Sequence, residues 1–133
     1  MNCTSIEQSK RLVDLGLDPN TADMFHLRIV GETYDKYGEL IPLEDNLCKV
    51  EVDSPNRLNY PKDDMLPCWS VSALMDLLPE IRINYHLYKW RYSLESLDYI
   101  GVSSGKILHS ITSNGVLNKF YDMIVWLLEN KYI

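Results

Sequence analysis

The chain has 133 residues and a mass of 15.5 kDa, which suits one domain, 1–133, folded around one core without metal or disulfide staples. A hydrophobic share of 46% and a charged share of 24% exclude a disordered, collagenous or coiled-coil chain. The formal charge of -6 provides no global field for a polyphosphate; it is confined to residues 1–66, with 13 acids and 7 bases, whereas 67–133 hold six of each.

In chain order, the first element is a helix over Thr4 to Leu15. Thr4 and Glu7 have capping-box spacing, Ile6 and Val13 with Leu12 and Leu17 give an apolar side, and Gly16 supplies a left-handed stop. Asp18 then caps a single turn that starts with Pro19. Phe25, Leu27 and Ile29 alternate within Met24 to Val30, as do Cys48, Val50 and Val52 within Leu47 to Val52, so two strands are predicted. They pair across an acidic connection from Gly31 to Asn46, read as an extended hairpin tip. Pro55, Pro61 and Pro67 make Asp53 to Pro67 a surface loop.

Ser70 next caps a short helix that ends at Pro79, with Trp69 stapled to Leu74 and with Val71, Leu74, Met75 and Leu78 as its core stripe. The alternation of Ile81, Ile83, Tyr85 and Leu87 changes phase to Tyr88, Trp90 and Tyr92, which predicts one strand bulged near Leu87. Leu97–Val102 and Lys106–Ile111 form a hairpin around Ser103-Ser104-Gly105. A closing helix capped by Ser113 or Asn114 runs to Asn130, with Leu117, Phe120, Ile124, Leu127 and Leu128 on its apolar face. The expected class is α+β, an antiparallel sheet of about five strands with helices packed on one face.

Signatures of chemistry are sparse. Cys3, Cys48 and Cys68 fit neither a disulfide framework nor paired metal ligands, and His26, His86 and His109 are equally scattered. There is no phosphate loop, dinucleotide fingerprint or nucleophile elbow. Cys68 precedes a helix N-terminus that could support a thiolate, with His86 or His109 as the available bases; the plainer reading is a small buried residue. The acids from Glu32 to Asp64, nine against four bases, include Glu44-Asp45, Asp63-Asp64 and Glu51 with Asp53, but no calcium-loop pattern, and read as solvated charge. No catalytic, cofactor-binding or metal-binding residue is expected.

Arg82 to Tyr92 interleaves Arg82, His86, Lys89 and Arg91 with Tyr85, Tyr88, Trp90 and Tyr92. Such a face can stack bases, yet one strand works against a net charge of -6, and nucleic acid is disfavoured. Nine Tyr and three Trp are more than a small core buries with their polar ends satisfied, which points to a protein-binding surface. Tyr85, Tyr88, Trp90 and Tyr92 are its candidate residues. No stretch reaches the roughly 18 apolar residues of a membrane span. Met1 to Leu12 lacks the pattern of a secretory leader, so a cytoplasmic chain is expected.

Three stretches, Ser9-Lys10-Arg11-Leu12 with Gly16-Leu17-Asp18-Pro19 and Thr21-Ala22-Asp23-Met24, then Pro67-Cys68-Trp69-Ser70 with Leu77-Leu78-Pro79, and Met123 to Glu129, carry a likeness. In these the chain resembles a family of short proteins from Bacteroides-group gut bacteria, often encoded beside phage or integrated mobile elements. The resemblance spans most of the chain and implies an accessory role without assigning an activity. The expected function is therefore a small protein-binding module, not an enzyme, whose partner is another protein or a second copy. The alternatives are a nucleic-acid-binding or DNA-mimic protein, then a cysteine-dependent enzyme.

Overall fold

The computed structural model describes residues 3–34, 36–51 and 65–133. The first helix, α1, covers Ile6–Asp14, one residue later than the Thr4 cap predicts. Ser5 is the N-cap and forms a reciprocal capping box with Gln8, because Thr4 is engaged elsewhere: its hydroxyl bonds Ser9 at 2.7 Å and accepts the Trp69 N–H at 3.1 Å. Gly16, at φ +98°, ends α1 as predicted, with the Leu17 N–H reaching the Leu12 carbonyl and the Gly16 N–H reaching Val13, both at 3.0 Å. Asp18 accepts the Asn20 N–H and starts the single turn Pro19–Thr21.

Two antiparallel sheets follow. β1 (Met24–Tyr34) lies between β2 (Leu40–Glu51) and β3 (Met65–Cys68), so the two predicted strands do pair, but each extends into the stretch read as a hairpin tip. The register shifts between Ile29 and Gly31. Most of the expected proline-rich loop, and the side chains of the acidic pairs, lie outside the described residues.

α2 (Val71–Asp76) has Ser70 as its N-cap, as predicted. Leu74 and Leu78 are buried, whereas Met75 turns out to solvent and Ala73 replaces it in the core. β4 (Ile81–Ile83), β5 (His86–Tyr92), β6 (Leu97–Gly101) and β7 (Ile107–Ile111) form the second sheet in that order. The predicted bulge near Leu87 is instead a tight turn at Asn84 and Tyr85, both at positive φ, which divides the segment into two strands and accounts for the change of phase. A bulge does occur in β7 itself: Tyr99 pairs with His109 and Ile100 with Ile107, which leaves Leu108 as the extra residue.

α3 (Val116–Glu129) is preceded by Gly115 at φ +85° and has no side-chain cap; Ser113 instead donates to Asp122 inside the helix. α3 lies over β6 and β7, and Phe120, Met123, Ile124 and Leu127 meet Leu74, Leu97 and Tyr99 in the main core. α1 joins this core through Leu12 and is tied to α3 at the surface by Arg11–Glu129 at 3.0 Å and Gln8–Asn118 at 2.9 Å. The mixed helix-and-strand class read from the sequence holds, with seven described strands shared between two sheets. No described helix is long and apolar enough to cross a membrane.

Candidate functional site

Two places draw chemistry-bearing residues together, and the four expected interaction residues belong to only one of them. On β5, Tyr88, Trp90 and Tyr92 share a face by period, and that face turns towards α3. Trp90 meets Phe120 edge-on at 5.6 Å and Tyr92 stacks on it at 5.7 Å. Tyr88 and Trp90 pack against the core and are half-buried. Tyr85 behaves differently, with its ring fully exposed at the β4–β5 turn and its backbone at φ +68°. The cations of the same segment point the other way: Lys89 pairs with Glu80 at 3.4 Å, and Arg91 lies 4.0 Å from Asp98.

The sheet's far edge is β7, whose sequence Ile107-Leu108-His109-Ser110-Ile111 contains no proline, Lys, Arg, Asp or Glu. Ile107 stands opposite Ile100 and is exposed. His109 stacks on Trp126 at 4.2 Å with the planes 3° apart, and Trp126 in turn meets Tyr132 at 5.2 Å. All three rings are half-buried and form an aromatic row alongside the edge. Burial lowers the His109 pKa, so its imidazole is neutral around pH 7.

The second place is buried. Cys68 closes β3, opposite Met24 of β1, and His26 lies two residues along β1 on that same face. A bridge between Cys3 and Ser70 and the bond from the Thr4 N–H to the Trp69 carbonyl bring Cys3 alongside. One donor atom each from Cys3, His26 and Cys68 lies within 4.8 Å of the others, and all three residues are buried. His26 Nε2 is 2.9 Å from the Thr4 carbonyl oxygen, which can only accept, so Nε2 carries the proton. The imidazole beside Cys68 is thus His26, not His86 or His109. Sequence spacing hides the trio, because sheet pairing and a bridge between distant segments create it; buried-strand His26 opposite a strand ending in Cys is its only linear trace.

No family model, curated protein or solved structure matches the chain.

Proposed function

We propose that the protein is a protein-binding module that acts by strand addition at β7, with a second copy of the chain supplying the strand. The supporting observation is the contrast among sheet edges. An edge strand exposes a template for further pairing, and proteins blunt it with charge or proline. Among the described strands, edge β2 carries Pro42, Glu44, Asp45, Lys49 and Glu51, edge β3 carries Pro67, and edge β4 carries Arg82. Within its span β7 alone of these edges carries neither; Lys106 borders it, its bulge at Leu108 confines the regular template to His109–Ile111, and the aromatic row beside it offers contact area at low entropic cost. Residues 67–133 hold six acids and six bases, so the net charge of -6 that opposes association of two copies lies in residues 1–66, away from β7 in sequence. A two-fold axis through the middle of β7 would pair it antiparallel with its copy, the commonest symmetry for such contacts.

Tyr85 supports an interaction role independently. A bulky side chain at φ +68° occupies a position that suits glycine, and its exposed ring adds no packing to offset the strain. Val102 and Ile107, both exposed, lie at the same end of the sheet and extend the apolar surface.

Sedimentation velocity over a concentration series is the test. Wild-type chain should pass from monomer to dimer; Ile107→Lys, a change at an exposed edge position, should stay monomeric. Leu94→Lys, at a more exposed position in the β5–β6 turn at the other end of the sheet, should dimerise like wild type. A wild-type monomer at every concentration, or a dimer indifferent to Ile107→Lys, would overturn the proposal.

A further inference from the structure

We infer that Cys3, His26 and Cys68 form a buried Zn2+ site that pins the segment before α1 onto the β1–β3 sheet. The donor set has the chemistry of zinc: two thiols and an imidazole, from three segments, within 4.8 Å of one another and shut off from water. Cys3 Sγ lies 4.0 Å from His26 Nε2. Tetrahedral bonds of zinc to sulfur and nitrogen place such atoms about 3.6 Å apart, and two sulfurs about 3.8 Å apart. Closing the trio by roughly half to one ångström lies within the reach of side-chain rotation at two cysteines and one histidine.

Charge selects the ion. Two thiolates and a neutral imidazole cancel the charge of a dication, whereas a monovalent soft ion would leave one negative charge buried. The adjoining residues Thr4 and Met24 are both buried and carry no charge to offset a mismatch. Binding releases one proton from each thiol and moves the imidazole proton from Nε2 to Nδ1, since Nε2 becomes the ligand. The Thr4 carbonyl oxygen, 2.9 Å from Nε2, then keeps only the Ser9 hydroxyl at 3.4 Å as a donor and is a candidate for the fourth position. An ion held this way joins residue 3 to residue 68 and adds its binding free energy to that of folding.

The experiment uses the full chain, expressed without chelator and reduced. Elemental analysis should find one Zn2+ per chain, and its removal should lower the melting temperature, with recovery on adding Zn2+. Co2+ in its place should give a thiolate-to-cobalt charge-transfer band in the near ultraviolet and release about two protons per ion near neutral pH. Cys3→Ser and Cys68→Ser should each weaken that band, and Cys48→Ser, outside the trio, should keep it. Should the serine variants misfold, the wild-type cobalt spectrum and proton count still decide. Wild-type chain that takes up neither ion, shows no thiolate band, or loses the band through Cys48→Ser while Cys3→Ser retains it, overturns the inference.

Discussion

Trp69 gives the sharpest test of the packing. It is fully buried between α1, α2 and the turn at Pro19–Thr21; its ring N–H donates to Thr21 Oγ1 at 2.9 Å, and its backbone N–H and carbonyl bond Thr4. Trp69→Ala keeps the backbone bonds but removes the ring, and truncating a fully buried aromatic costs about 3–5 kcal/mol. The lost Thr21 bond adds little, since the half-buried hydroxyl still donates to the Asp18 carbonyl at 2.6 Å and can accept from water. Trp69→Phe retains most of the ring and loses the bond and some volume, about 1–2 kcal/mol. Urea titration followed by far-ultraviolet circular dichroism separates the two. With a urea slope of about 2 kcal/mol/M, the alanine variant should unfold about 2 M earlier than wild type and the phenylalanine variant less than 1 M earlier. Equal midpoints for Trp69→Ala and wild type would show that the ring does not hold α1 and α2 together.

Three further outcomes follow from single positions. Ser70→Ala removes the α2 cap and both Ser70 side-chain contacts, one accepting from the Ala73 N–H and one donating to Asp23, and should cost about 1–2 kcal/mol in the same titration. Tyr85→Gly should gain about 1 kcal/mol, because glycine accepts φ +68° without strain and the exposed ring contributes no packing; a loss would mean the ring has a folding partner. Burial lowers the folded pKa of His109 below the unfolded value of about 6.5, so the unfolded chain binds the extra proton first. Stability is therefore full above that value and falls as the pH drops through it towards the lower folded pKa. His109→Gln should flatten this slope between pH 7 and 5, as read by melting temperature.

Local signals were legible where one residue settles the backbone. Gly16, Asp18-Pro19 and Ser70 mark ends that the structure confirms, each through a conformation or donor that few other residues supply. The chain was harder to read where tertiary demands override the local rule. Thr4 gives up its capping role because its hydroxyl is claimed by Ser9 and Trp69, and the helix start moves to Ser5. The Asn84–Tyr85 turn was hidden because tyrosine rarely takes a left-handed conformation, leaving only a phase change that a bulge explains equally well. Alternation placed Tyr88, Trp90 and Tyr92 on one face without telling which face α3 covers. The Cys3, His26 and Cys68 trio depends on long-range pairing that no spacing rule reports.

Hydrogen exchange at β7 tests the proposed function most directly. Pairing with a second strand should protect those amides of residues 107–111 that point away from β6, and the protection should grow with protein concentration. The amides that already bond β6 should change far less. Exchange across β7 that is the same at every concentration, in chain shown to be folded, would contradict strand addition at this edge.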